Sequence, residues 1–265
     1  MSSITTDQGV LHYEVFGRGR PVILLHGWLG SWGLWQETMK SLGQQYRTYA
    51  LDFWGFGDSG KKRESYEVQD FVSLVDQFMA LLGIERAPLV GHSMGGTVSL
   101  SAAIQYPHRV GKVVVIGSPM VGSSLAPLLK LAGQRPIASI LFKQLAVFRF
   151  GMRLYSPFIC KQPQFPDMMD KDLSRTTLES FLLSIASLHR TDLRPMLPKV
   201  KAPVLGMFGD RDNIVHPRQW QPLKEGVRDA SIERFPKAGH FIMLDEPKTF
   251  QSKLKKFLDA ELPAP

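Results

Sequence analysis

Ala87-Pro88-Leu89-Val90-Gly91-His92-Ser93-Met94-Gly95-Gly96-Thr97-Val98-Ser99-Leu100 sets a serine between two glycines, where one sequence pattern gives way to another. The apolar run bounded by Pro88 reads as a buried strand. The small and apolar residues after Met94, continuing through Ser101-Ala102-Ala103, read as a helix packed on a sheet. Strand, serine, helix is the setting of the nucleophile elbow, G-x-S-x-G. So sharp a turn leaves no room for a Cβ at positions 91 and 95, which explains the glycines there. The strain is expected to lift the Ser93 hydroxyl clear of the backbone. It also aims the Met94 N–H toward the same point, at a helix N-terminus that favours negative charge.

Reading outward, strands and helices alternate. Leu11-His12-Tyr13-Glu14-Val15-Phe16 has the alternation of a strand after a polar start, and Gly17-Arg18-Gly19-Arg20-Pro21 follows as a turn. Val22-Ile23-Leu24-Leu25 is continuously apolar, as a strand covered on both faces must be. A helix from about Trp35 to Gln44 leads to a third strand, Arg47 to Leu51. Helix-spaced Phe71, Val72, Val75, Phe78, Met79 and Leu82 then precede the elbow. Further strands are expected at Val113–Ile116, Pro203–Phe208 and Ser231–Phe235, with a closing helix from about Thr249 to Ala260. This rhythm implies an α/β fold, a mostly parallel sheet covered by helices on both faces. It breaks for about eighty residues between Pro119 and Pro203, where helical patterns are interrupted by prolines at 127, 136, 157, 163 and 166. Structureless loops of that length are rare in compact domains, so residues 119–202 are expected to form an inserted helical cap. Residues 1–118 and 203–265 then form the core.

A serine nucleophile needs a base, and the base needs an acid that orients it. His240, in Lys237-Ala238-Gly239-His240-Phe241, follows the last expected strand and is free to point into a site. After the preceding strand comes Phe208-Gly209-Asp210-Arg211-Asp212-Asn213, which offers two candidate acids, Asp210 and Asp212. With Asp212 the chain order is Ser93, Asp212, His240.

With these residues in place the chain resembles the α/β-hydrolase superfamily, in its small esterase-like branch with a helical cap. Four motifs carry the resemblance, which covers essentially the whole chain. They are His26-Gly27-Trp28, Gly55-Phe56-Gly57-Asp58-Ser59, Gly91-His92-Ser93-Met94-Gly95-Gly96, and Gly209-x-x-Asp212 followed by Gly239-His240. The resemblance implies Ser93 as nucleophile, His240 as base and Asp212 as orienting acid, with Asp210 a loop cap or hydrogen-bond partner. It also implies an oxyanion hole made by the backbone N–H groups of Trp28 and Met94. His92 then packs beneath the elbow, His26 shapes the oxyanion loop, and Asp58 ties its own loop together. His12, His108, His189 and His216 are scattered and are expected at the surface, without metal-ligand spacing. No metal or cofactor is implied.

A serine nucleophile argues against the haloalkane dehalogenases and epoxide hydrolases of this fold, which use aspartate and usually carry a proline after the histidine-glycine pair. The His-Gly-Gly-Gly motif of many lipases is missing too. Carbon–carbon bond hydrolases often have asparagine where this chain has His92. The expected activity is hydrolysis of carboxylic esters with apolar or aromatic acyl groups, through an acyl-enzyme. The alternatives are another serine hydrolase (a C–C bond hydrolase, a lactonase or a cofactor-free perhydrolase) and, in a different class, a non-enzymatic ligand receptor or signalling partner. The cap is expected to set substrate choice. Met120, Phe142 and Phe148 are candidate acyl-pocket residues, as are Leu125, Leu128, Leu129, Leu141, Leu145, Met152 and Phe158.

Composition narrows the setting. The single cysteine, Cys160, excludes an intramolecular disulfide and a multi-cysteine metal site, and is expected to be a small buried apolar residue. No secretory signal or bilayer-spanning stretch is evident, so the default location is the cytoplasm. The net charge of +8 is unevenly placed: between Arg86 and Pro166 there are nine Lys and Arg and no Asp or Glu. Such a surface suits weak contact with anionic lipid, or is simply a solvated basic face. Nothing resembles a nucleic-acid motif.

Overall fold

The computed structural model describes residues 2–61 and 65–260. Eight strands form one sheet: β1 (Ser2–Thr6), β2 (Gly9–Phe16), β3 (Arg20–Leu25), β4 (Tyr46–Leu51), β5 (Ala87–His92), β6 (Val110–Ile116), β7 (Val204–Gly209) and β8 (Ala230–Phe235). Their order is β1-β2-β4-β3-β5-β6-β7-β8, antiparallel at the β1/β2 and β2/β4 pairings and parallel from β4 onward. The apolar runs alternate between two cores. Ile23, Leu25, Leu89, Val113 and Val115 face one, while Val22, Leu24, Val90, Val114 and Ile116 face the other. Helices α2 (Val68–Leu81) and α3 (Met94–Gln105) cover the first face. Helices α1 (Gln36–Leu42) and α11 (Pro247–Asp259) cover the second.

Strand β1 has no counterpart in the sequence reading. Its residues, Ser-Ser-Ile-Thr-Thr, bring a single apolar side chain, Ile4, half-buried against the main core, and the strand is held by the β2 edge, which supplies pairing from Ser2↔Tyr13 to Thr6↔Gly9.

Five helices lie between β6 and β7: α4 (Pro127–Ala132), α5 (Arg135–Lys143), α6 (Leu145–Ile159), α7 (Phe165–Ser174) and α8 (Leu178–Arg190). Pro127, Pro136 and Pro166 sit in the first turn of α4, α5 and α7, so they start helices instead of interrupting them. The two ends of the insertion meet in a bridge between Val121 and Asp192. Among the described residues no helix is long and apolar enough to cross a membrane.

His12 corrects the expectation of four surface histidines: it is 4% exposed, whereas His108, His189 and His216 are exposed. Its Nδ1 is 2.8 Å from Oδ2 of the fully buried Asp52. Asp52 also accepts the backbone N–H groups of Trp32 (2.6 Å) and Asp58 (2.9 Å), and so ties β2 and the segment after β3 to its own loop. Ligand atoms of His12, Asp52 and Asp58 lie within 4.8 Å of one another, but both Asp52 oxygens are already engaged by these bonds.

The hydrogen bond that His12 donates to Asp52 holds the His12 pKa above its ordinary 6.5. The folded state therefore binds this proton more tightly than the unfolded chain does. The resulting stabilisation is complete below the ordinary value and is lost as pH rises through the folded-state value. His12→Asn keeps a donor but cannot carry charge. It should lower stability by about 1–2 kcal/mol at mildly acidic pH, and by less as the solution is made alkaline. Urea denaturation at several pH values measures this, and a penalty that does not change with pH would rule out a charged pair.

Candidate active site

The site lies at the carboxyl ends of β3, β5, β7 and β8, outside the point where the strand order turns back on itself. Strand β5 ends at His92 and α3 begins at Met94, so Ser93 alone makes the turn, at φ 51° and ψ −117°. A Cβ on Gly91 would overlap the Gly95 carbonyl, and one on Gly95 would overlap the carbonyl of Leu25. Gly96 is as tightly placed, against the Ser118 side chain. Ser93 itself is 5% exposed and opens only onto a cavity between the sheet and the cap. The other described non-glycine residue with positive φ, Leu29 at 58°, lines the same cavity. Strained backbone therefore gathers at this one place.

His240, 3% exposed, shares the cavity. Its Nδ1 lies 2.7 Å from Asp212 Oδ2. The other Asp212 oxygen accepts the backbone N–H groups of Ile214 (2.8 Å) and Val215 (2.9 Å). Asp212 is thus an acceptor at both oxygens, which puts the proton on His240 Nδ1 and leaves Nε2 with its lone pair. Asp210, by contrast, turns outward and accepts from Arg234 Nε at 2.9 Å. Gly117, at φ 55°, holds the strand end against this pair. A Cβ there would stand 3.2 Å from His240 Nδ1 and 3.3 Å from Asp212 Oδ2. In the sequence Gly117 reads only as the end of a strand.

Two further histidines serve as scaffolding. His26 Nδ1 donates to the Gly27 carbonyl at 2.7 Å, and its Nε2 accepts from Phe53 N–H at 2.9 Å, joining the loop after β3 to the loop after β4. Burial lowers its pKa, so it is neutral. His92 is buried beneath the elbow, with its ring 4.6 Å from that of His240 and its Nε2 3.1 Å from the His240 carbonyl. Burial holds its pKa well below 6.5. Asp245 accepts from Gly239 N–H at 2.8 Å and steadies the His240 loop from the other side.

The loop after β3 lies directly against the elbow: a Cβ on Gly27 would be 3.0 Å from Ser93 Cβ. Met94 opens α3, so its N–H has no carbonyl in the preceding turn to bond. The Trp28 side chain reaches the cap, where its Nε1 donates to the Phe181 carbonyl at 3.1 Å. Ser31 makes a second tie, donating to Asp172 Oδ1 at 2.7 Å. Asp58 is bound both to its own loop, through its N–H to Asp52, and to the cap, through Arg175 at 2.8 Å.

The cavity wall differs from the sequence expectation. Met152 and Ile159 from α6, Phe165, Met168 and Met169 from α7, and Ile185 from α8 supply most of the cap side, with Leu125 and Leu129 also present. Phe142 and Phe148 do not line it. They pack on Phe181, with ring centroids 5.1 and 6.2 Å away, in a small core of the cap. Met120 is fully buried in the main core, and its N–H donates to Gln219. Cys160 is buried, and burial pushes its thiol up to about 12, far from any nucleophilic role.

One polar group in this wall went unread in the sequence. Asp172 closes the α7 stripe Phe165, Met168, Met169, Asp172, whose helical spacing aims all four side chains into the cavity. It is 4% exposed, and burial among apolar neighbours raises its carboxyl to about 7. The lining contains no Lys or Arg.

A family model described as alpha/beta hydrolase fold matches residues 20–136. The 2-hydroxy-6-oxo-6-phenylhexa-2,4-dienoate hydrolase of Comamonas testosteroni is 29% identical, over 94% of this chain and 91% of its own. The pimeloyl-[acyl-carrier protein] methyl ester esterase of Vibrio atlanticus is 26% identical, over 93% and 97%. A crystal structure of a hydrolase from Pseudomonas aeruginosa superimposes with a TM-score of 0.85 at 21% identity, covering 98% of both chains. With the parallel sheet and the strand–serine–helix elbow, these matches show that the chain has the α/β-hydrolase fold.

Proposed function

We propose that the protein is a serine hydrolase of uncharged carboxylic esters with apolar or aromatic acyl groups, working through an acyl-enzyme. The observation that carries this is Ser93, strained at its elbow, sharing one apolar cavity with a histidine whose tautomer Asp212 holds. Ser93 Oγ attacks the acyl carbonyl while His240 Nε2 takes its proton. The backbone N–H groups of Met94 and Trp28 receive the oxyanion, each worth about 2.7–4 kcal/mol of barrier by comparison with donors removed from other enzymes. His240 then protonates the leaving alcohol. In the second half, water loses a proton to His240 and attacks the acyl-enzyme; the acyl–Oγ bond breaks, His240 returns the proton to Ser93 Oγ, and the acid leaves. Asp212 stays ionised and stabilises the imidazolium.

A second reading, carbon–carbon bond hydrolysis, has a relative in the Comamonas enzyme, whose substrate is by its name a carboxylate. A carboxylate in this cavity would meet no Lys or Arg and would face Asp172. An uncharged ester meets neither difficulty, and the apolar lining favours burying its acyl group.

Incubation with a fluorophosphonate probe should label Ser93, and Ser93→Ala should abolish both labelling and turnover of p-nitrophenyl esters. Wild-type protein that neither labels nor turns over would point instead to a ligand receptor. Asp212→Asn should leave the fold intact and lower kcat by about 10⁴-fold, the loss seen when the tautomer is no longer held in comparable triads.

Asp172 generates a separate expectation. It ionises as pH rises through about 7, so discrimination against an ester with a carboxylate on its acyl chain should sharpen over that range. The ratio of kcat/KM for an uncharged ester to that for its anionic counterpart cancels any pH dependence that the two substrates share. In the wild type this ratio should climb with pH, and in Asp172→Asn it should stay flat. A flat ratio in both proteins would remove Asp172 from substrate selection.

A further inference from the structure

The outer face of the cap is apolar where a solvent-facing helix is ordinarily polar. On α6, Val147, Phe150, Leu154 and Phe158 recur at spacings of three and four residues and so form one stripe. Ile140 on the neighbouring α5 belongs with them, and these five side chains are between 62% and 73% exposed. The opposite side of α6 is apolar as well, since Met152 and Ile159 line the catalytic cavity. A helix apolar on both sides is ordinarily buried on both sides.

Charge around the stripe narrows what covers it. Arg149 and Arg153 are neutralised by Asp170 and Asp167 on α7, and Lys112 is spent on carbonyls at the end of α11. Arg135 and Lys143 at the two ends of α5, and Lys161 just past α6, are exposed and have no carboxylate partner among the described residues. A second copy docked by a two-fold axis would set these cations against their own equivalents. A bilayer containing anionic lipid satisfies both features at once, with hydrocarbon for the stripe and headgroup charge for the flanking cations.

We propose that the cap docks on anionic membrane surfaces through the exposed stripe of α5 and α6, with Arg135, Lys143 and Lys161 facing the headgroups. Helix α6 then lies between the bilayer and the catalytic cavity, so apolar esters dissolved in the membrane are held next to the wall of the site. The docking surface does not depend on the chemistry assigned to Ser93.

Co-sedimentation of the intact protein with vesicles tests this. Binding to phosphatidylglycerol vesicles should be on the order of a hundredfold tighter than to phosphatidylcholine vesicles at low salt, from three cations near the surface. It should weaken steeply as salt is added. Phe150→Asp with Leu154→Asp should abolish binding and leave hydrolysis of a soluble ester unchanged. Phe150→Ser with Leu154→Ser, which adds no charge, should weaken binding at least tenfold on the order of the apolar burial lost. Binding that both double variants retain would place the contact elsewhere and overturn the proposal. So would failure of the wild type to sediment, or a dimer in analytical ultracentrifugation that the double variants dissociate.

Discussion

Ser93 occupies a backbone conformation, φ 51° and ψ −117°, that a residue with a Cβ adopts only under constraint. Holding it there costs about 1–3 kcal/mol, supplied by the packing around it. The constraint is steric. Strand β5 and helix α3 come so close that Gly91 and Gly95 have no space for a side chain, and Gly95 rests on the end of β3. Because the strand and the helix are both fully packed on the sheet, the turn between them cannot relax. The serine therefore projects into the cavity, and the first N–H of α3 is left without an intrahelical acceptor.

The groups that would work with Ser93 are held by the same sheet. Consecutive parallel strands end on one side, so β5, β7 and β8 deliver Ser93, Asp212 and His240 to one place from positions far apart in the chain. Asp212 accepts at both oxygens, with two backbone N–H groups on one and the imidazole on the other. His92, Asp245 and Gly117 then confine His240 from three sides. None of these contacts is catalytic in itself. They hold the His240 imidazole in one orientation, and small displacements of a group meant for catalysis are costly.

The cap is bound to the core through polar links at its rim and apolar packing within. Trp28 to Phe181, Ser31 to Asp172 and Asp58 to Arg175 all join core loops to the cap, and the first two start from the loop after β3 that packs on the Ser93 elbow. Movement of the cap would therefore be felt beside Ser93. Asp172 has two roles in this arrangement: one oxygen secures the loop, and the carboxyl is the one polar side chain that the cap contributes to the cavity wall.

Much of the fold was legible in the chain because its signals are local. Continuous apolar runs can only be strands covered on both faces, and a serine between glycines at a strand–helix junction fits few other geometries. Asp212 and His240 were legible as candidates through their places after the last two strands. Their contact, and the outward turn of Asp210 toward Arg234, belong to the tertiary structure. Strand β1 escaped because an edge strand draws its bonds from a neighbour and needs no apolar face. His12 escaped because its partner, Asp52, is forty residues away. In the cap, apolar spacing identified helices but not their rotation. Phe142 and Phe148 turned to α8, Met152 and Asp172 to the cavity, and Phe150 to solvent. The sequence by itself determined the elbow and the strand–helix rhythm, because steric limits and periodicity act between near neighbours. Only the tertiary structure decided what faces the substrate, because which side of a helix is buried depends on what packs against it.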